Sequence, residues 1–102
     1  MRVIIISRPK FPPPPEMMSP LMDAFADWRA RYKPIMESFD FFVAGGGGCG
    51  IVNAPDDATL ATMMMEYPWS PFSEVEVELL IDGDLALAQY RDFIRQQFGA
   101  PS

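Results

Sequence analysis

Glu74-Val75-Glu76-Val77-Glu78-Leu79 (EVEVEL) alternates without interruption between carboxylate and aliphatic side chains. Successive side chains of a strand leave opposite faces, so Val75, Val77 and Leu79 share one face and the three glutamates the other. A strand with two such unlike faces belongs to an antiparallel sheet covered by helices on one side only. Just upstream, Tyr67-Pro68-Trp69-Ser70-Pro71-Phe72 carries two prolines and ends whatever precedes it. That is a helix expected from about Asp56 to Glu66, with Pro55-Asp56-Asp57 suited to its N-terminus and Leu60, Met63 or Met64, and Tyr67 as its buried stripe. Downstream, Asp84 is the expected cap of a last helix bearing Leu87, Tyr90, Ile94 and Phe98, with Gly99-Ala100-Pro101-Ser102 as a frayed end.

The N-terminal half supplies the remaining elements. Arg2 to Ser7 (RVIIIS) is a β-branched run that reads as a central strand, stopped by the proline-rich loop RPKFPPPPEMMSP. From Pro20 to Phe39, Leu21, Phe25, Trp28, Tyr32, Ile35 or Met36, and Phe39 recur at spacings of three and four, the stripe of an amphipathic helix. Ser19 is its expected N-cap, Pro20 its first residue, and Pro34 its kink or interruption. FDFFVA (39–44) and GIVNA (50–54) follow as two strands, with the tract Ala44-Gly45-Gly46-Gly47-Gly48-Cys49-Gly50 between or within them. The order β-α-β-β-α-β plus one helix is that of a ferredoxin-like α+β fold in a single domain spanning 1–102. Ile4, Ile6 and the FDFFV strand offer apolar groups to both sides of the sheet, so pairing two sheets face to face is expected to bury them.

Composition narrows the function classes. The 102 residues are 49% apolar, carry a net charge of −6 and include no histidine, which argues against binding to nucleic acid or to anionic membranes. A single cysteine makes no internal disulfide and supplies too few ligands for a cysteine-histidine zinc site, so no metal is expected and a reducing cytoplasm is the expected compartment. MRVIII is too short for a signal or membrane segment, and no other run reaches the ~18 apolar residues a span needs.

LATMMMEYPWSPFSEVEVELL (60–80) resembles the muconolactone isomerases, whose pattern runs from a helix of the form L-x-x-x-L-M through L-P-x-x-P-[YF] into D-I-E-V. The first strand closing on Lys10-Phe11-Pro12 and the Ala44-Gly45 pair extend the resemblance over most of residues 1–80. It implies a subunit that assembles into dimeric α+β barrels, as a homodimer or larger homo-oligomer. It also implies cofactor-free isomerisation of a small unsaturated lactone by proton transfer. Family members carry bulky polar and aromatic residues, one of them a histidine, where this chain has GGGCG; the chain has no histidine, so that residue's role is not carried over to it.

Proton transfer next to a carbonyl needs a base near the carbon and a donor or cation near the oxygen. The candidate bases are Glu76, Asp40 and Glu16; desolvation by Phe41, Phe42, Tyr67 and Trp69 would raise such a carboxylate toward neutrality. Each has a plainer reading as a solvated, edge or interface acid. Arg8 and Lys10 after the first strand can hold a ligand carboxylate or enolate, or simply pair with surface acids. Tyr67 and Trp69 form a rigid aromatic wall or else packing at an interface. The amides of Gly46, Gly47 and Gly48 can meet a substrate oxygen above an opened cavity, or the glycines serve only a tight crossover of the backbone. The expected activity is that of a cofactor-independent isomerase or cyclase acting on a small apolar enolisable lactone, quinone or polyketide-like molecule. The alternatives are a cofactor-free monooxygenase of the same architecture and a non-catalytic binding or assembly protein.

Overall fold

The computed structural model describes residues 1–99. Strand β1 spans Arg2–Pro9, helix α1 Met18–Tyr32, β2 Met36–Phe41, β3 Gly48–Asn53, α2 Asp57–Met65, β4 Ser73–Leu79 and α3 Gly83–Phe98. Short 3-10 turns at Pro15–Met17, Lys33–Ile35 and Ser70–Phe72 lead into α1, β2 and β4. All strand pairs are antiparallel and the sheet order is β2-β3-β1-β4, the ferredoxin-like arrangement.

Helices α1 and α2 cover one face of this sheet. The core between them holds Val3, Ile5, Trp28, Tyr32, Val52, Ala54 and Met63. Three cross-strand rows floor it: Phe41-Gly48-Ser7-Val75, Phe39-Gly50-Ile5-Val77, and Met36-Val52-Val3-Leu79. The opposite face carries the alternate residues, with Asp40, Cys49, Ile6 and Glu76 in one row and Ser38, Ile51, Ile4 and Glu78 in the next. Trp28 anchors α1 to α2 by donating its indole N–H to the Met63 carbonyl at 2.9 Å, where both residues are buried.

Several boundaries differ from the sequence expectation. The first helix begins at Met18, capped at Met17, so Ser19 and Pro20 lie inside its first turn. Proline is tolerated there because the first amides of a helix have no partner within it. Pro34 ends the helix outright, in a 3-10 turn, and residues 36–39, expected to be helical, are the start of β2. The spacing of Ile35, Met36 and Phe39 fitted a helical stripe, yet Phe39 and Phe41 have the period of a strand, and Pro34, which has no amide to continue the helix and sits in the turn Lys33–Ile35, decides between them. The second strand therefore closes at Phe41 rather than Ala44, and Val43 stands wholly exposed in the turn that follows. Helix α2 matches its expected span, with Asp56 accepting the Thr59 amide at 2.7 Å. For α3 the cap is Asp82, which accepts the Leu85 amide at 2.9 Å, and Asp84 falls in the first turn. Of the expected frayed end, Ala100, Pro101 and Ser102 lie outside the described residues.

The glycine tract is a turn that runs into a strand. Phe42 N–H donates to the Gly47 carbonyl at 3.0 Å, and Gly45, Gly46 and Gly47 all adopt positive φ. A side chain at Gly47 would overlap the Ser7 carbonyl oxygen, and one at Gly48 the Asp40 carbonyl oxygen. Backbone approach is thus the first requirement met by these glycines.

Candidate functional site

The two glycines of β3 that face the helices leave a trough in the sheet. Gly48 separates Phe41 from Ser7, and Gly50 separates Phe39 from Ile5, so the floor has no side chains at two successive positions. Above that trough α1 contributes Met18, Met22, Phe25 and Trp28, and the segment after α2 contributes Tyr67 and Trp69. The result is a cavity of about 380 Å³, open at one side and almost wholly apolar. That volume lies within the range of small-molecule sites, which run from ~300 to 1,000 Å³.

Aromatic contacts fix its walls. Phe25 stacks on Trp28 with ring centroids 5.9 Å apart and meets Phe39 at 5.8 Å, Phe41 at 6.3 Å and Tyr67 at 6.0 Å. Trp28 and Tyr67 approach to 5.0 Å. Arg29 lies over the Phe39 ring at 4.7 Å and braces it from the side. Walls of this kind hold a flat ring by stacking, with geometry set by packing and not by flexible chains.

One polar pair enters this apolar space. Tyr67 donates its hydroxyl to Ser7 Oγ at 2.8 Å, and Ser7 is the one buried polar side chain among the described residues. Burial pushes the Tyr67 phenol above its ordinary value, against the opposing influence of the Ser7 contact, so it stays a protonated donor at neutral pH. Ser7 accepts from Tyr67 and retains its own O–H, which is free to turn toward an acceptor. The pair is a donor relay suited to one oxygen of a bound ring.

The sequence candidates are distributed unevenly around the cavity. Tyr67, Trp69, Gly46, Gly47, Gly48 and Asp40 border it. Alternation along β2 puts Phe39 and Phe41 on the cavity side and turns the exposed Asp40 side chain to the outer face, in the row of Cys49 and Ile6. Glu76 is exposed on that outer face, and Glu16 is exposed in the 3-10 turn before α1. Arg8 is exposed and stacks over Phe42 at 5.3 Å, while Lys10 is exposed with its amide donating to the Phe72 carbonyl at 2.9 Å. Ser7 was not among the sequence candidates. Its signal was there, since it stands two residues beyond Ile5 and four beyond Val3, the only hydroxyl on the covered face of β1.

A second polar cluster lies outside the cavity lining. Glu66 accepts from Tyr32 Oη at 2.8 Å and from Arg31, and these contacts hold its carboxyl below the usual range. It ties α1 to the end of α2 and has no part in the cavity. Among the described residues no cluster of histidine, cysteine, aspartate or glutamate is arranged to hold a metal ion, and no helix is long and apolar enough to cross a membrane.

The chain matches no protein-family model and no curated protein by sequence. Its fold is that of solved structures with little sequence in common. A muconolactone isomerase superposes with a TM-score of 0.71 at 16% identity, over 80% of this chain and 90% of that one. The 5-chloro-2-hydroxyhydroquinone dehydrochlorinase of Burkholderia phenoliruptrix, solved in complex with 2,5-dihydroxybenzoquinone, superposes with a TM-score of 0.62 at 14% identity, over 83% and 98% of the two chains. At these identities the likeness shows the ferredoxin-like fold alone.

Proposed function

We propose that this chain is a cofactor-independent isomerase or cyclase that shifts a proton on a small, flat, enolisable molecule of the lactone, quinone or polyketide-like class. The observation that carries the reading is the Ser7–Tyr67 relay set in an otherwise apolar, aromatic-walled cavity. The ring stacks among Phe25, Phe39 and Tyr67 over the glycine floor, and its carbonyl oxygen accepts the Ser7 hydroxyl. A base removes the proton α to that carbonyl, the C=O π pair moves onto oxygen, and the enolate is stabilised by the Ser7 O–H, itself polarised by Tyr67. Return of the proton at the γ carbon restores the carbonyl and completes the migration of the double bond. Asp40, Glu76 and Glu16 are the proposed bases; Asp40 is the one on a wall strand, but its carboxylate leaves the outer face of β2, so it serves only a substrate whose acidic carbon reaches the open rim of the cavity beside Phe41. Trp69 and the amides of Gly46 to Gly48 close the site, with Arg8 and Lys10 proposed to draw an anionic substrate toward it. The quinone carried by the structurally similar dehydrochlorinase is a ligand of the expected shape.

The protomer is proposed to be a single domain that pairs through the outer sheet face, where Ile4, Ile6 and Ile51 are only half-buried. The test of function combines two readings. Quenching of Trp28 and Trp69 fluorescence by 2,5-dihydroxybenzoquinone and by simple butenolides reports binding, and proton NMR in D2O reports exchange and double-bond migration. Ser7→Ala is expected to weaken binding by up to ~10-fold, the worth of one hydrogen bond, and Asp40→Asn to abolish exchange while leaving binding intact. Binding without exchange by the unaltered chain would favour the non-catalytic binding protein; no binding at all would overturn the site.

A further inference from the structure

The hydroxyl groups of the cavity stand at one end of it. Ser7, bonded to Tyr67, lies on β1, and Ser73, the first residue of β4, also lines the space. Ser73 pairs with Pro9 and Ser7 with Val75, so the two serines are diagonal neighbours on adjacent strands and share the helix-side face. Diagonal Cα atoms of an antiparallel pair stand ~7–8 Å apart, with the Cβ atoms somewhat closer. Ser73 is half-buried, and its hydroxyl is not engaged elsewhere: among the described residues the bonded serine hydroxyls are those of Ser7 and Ser38.

The other end is apolar. Over β3 and β2 the cavity is bounded by Gly48 and Gly50 below, by Phe39 and Phe41 at the far wall and by Phe25 above. The sheet order β2-β3-β1-β4 puts three inter-strand spacings between that wall and the strand of Ser73, about 14 Å at ~4.7–4.9 Å each. A single ring held by the serines leaves the glycine trough unfilled, and an unfilled apolar space forfeits the contacts of its lining. Charge has no partner inside. Among the described residues no lysine, arginine or histidine lines the cavity, and Asp40 turns its carboxylate to the outer face. A buried ion without a partner is costly, so any ionised group of a ligand stays at the mouth, toward the exposed Arg8 and Lys10.

We infer that Ser73 is a second oxygen anchor beside Ser7, and that the cavity selects an uncharged fused-ring dione of the quinone type. Two oxygens on opposite sides of one ring meet the two serines, and the adjoining ring, bare of oxygen, lies over Gly48 and Gly50 between Phe39 and Phe41. The inference rests on the cavity being a small-molecule site, and it narrows the ligand from lactones, quinones and polyketide-like molecules to quinones of two or more fused rings. The two anchors differ in kind. Ser7 is polarised by Tyr67 and takes the oxygen on which charge develops, whereas Ser73 has no such relay and sets orientation and selectivity. A ligand with one oxygen needs Ser7 alone.

The test follows quenching of Trp28 and Trp69 fluorescence in the full chain by three uncharged probes. The first is a naphthoquinone methylated at both vinylic carbons, which blocks addition of the Cys49 thiol. Duroquinone keeps both oxygens on a single ring, and α-tetralone keeps two fused rings with one oxygen. The naphthoquinone is expected to bind most tightly. Ser73→Ala is expected to weaken both quinones by about 2- to 10-fold, the worth of one hydrogen bond, and to leave α-tetralone within about two-fold. Ser73→Thr, which keeps the hydroxyl, is expected to restore quinone binding. Ser73 is half-buried at the start of an edge strand, so either variant is expected to fold, with circular dichroism as the check. If Ser73→Ala affected all three probes equally, or none, Ser73 would be no anchor; if duroquinone bound as tightly as the naphthoquinone, the fused ring would have no place. Either result overturns the inference while the site stands. Absence of quenching by every probe removes the site and the anchor together. Serine-dependent quinone binding with no exchange of the α protons of α-tetralone in D2O supports the anchor and overturns only the proton-transfer reading.

Discussion

Gly45 and Gly47 offer a controlled comparison of backbone strain with steric overlap. Both have positive φ, +83° and +79°, so alanine at either site incurs the same left-handed penalty, ~1–2 kcal/mol. Their surroundings differ. A Cβ on Gly45 meets nothing within 4 Å, whereas one on Gly47 overlaps the Ser7 carbonyl oxygen and comes to 3.1 Å from Pro9 Cδ and 3.2 Å from Arg8 Cα. These are atoms of the central strand, which cannot move away without breaking its pairing with β3 and β4. Forcing a packed structure apart costs roughly 1–3 kcal/mol. Gly47→Ala is therefore expected to cost ~2–5 kcal/mol in total, a large share of the ~5–15 kcal/mol that stabilises a typical domain. The gap of ~1–3 kcal/mol between the variants corresponds to roughly 4–24 °C in melting midpoint. Thermal and urea unfolding followed by far-ultraviolet circular dichroism measure it, with an unchanged urea slope expected. Equal midpoints for the two alanine variants would refute the close approach of Gly47 to β1, and with it the steric requirement for glycine at that position of the tract.

Trp28→Phe removes the buried donor to the Met63 carbonyl and leaves a void beside Phe25 and Tyr67; a loss of ~2–4 kcal/mol is expected in urea titrations, and one under ~0.5 kcal/mol would mean the bond is dispensable. The Thr59 amide lowers the Asp56 carboxyl from 3.8, so its contribution to stability is fully present above that value and disappears as pH falls through the lowered folded-state value. The urea midpoint of Asp56→Ala is accordingly expected to lie below that of the unaltered chain at neutral pH and to converge on it in acid; a gap independent of pH would contradict the cap. Burial raises Tyr32 and Tyr67 above 10.0, which makes their contribution complete below that pH and lost as pH climbs through the raised values. In an alkaline titration followed by tyrosinate absorbance, Tyr32 and Tyr67 are expected to ionise late, and Tyr67→Phe to diminish that late phase.

The strand pattern of Glu74 to Leu79 was legible because alternation reports directly on two unlike faces, and the fold follows from it once the two helical stripes are counted. The stretch from Pro34 to Val43 was harder. Ile35, Met36 and Phe39 satisfy a helical period, Phe39 and Phe41 a strand period, and only the turn imposed by Lys33–Ile35 places the boundary between them. The cavity was legible in part: absent side chains at Gly48 were expected to make room, yet that Gly48 and Gly50 face the helices depends on the register with β1 and β2, which local sequence does not specify. Ser7 escaped notice for the same reason, because a hydroxyl at a strand end gains chemical meaning only when a tyrosine sixty residues away is folded onto it.

That register also explains how one tract of glycine serves both backbone and cavity. Gly47 and Gly48 are required by the approach of the turn to β1 and of β3 to β2, and Gly50 is held close by the Met36 methyl at 2.9 Å from where a Cβ would stand. Strand alternation then directs the vacant side-chain positions of Gly48 and Gly50 toward α1, beside the Ser7 hydroxyl and between two phenylalanines. A side chain at Gly48 therefore also parts β3 from β2, and one at Gly50 displaces the Met36 methyl and presses on the Ser38 carbonyl oxygen at 3.1 Å. A ligand site built this way resists gradual narrowing from beneath; its selectivity is open to change through the wall, at Phe25, Phe39, Met22 and Trp69, where side chains meet the cavity without carrying the sheet.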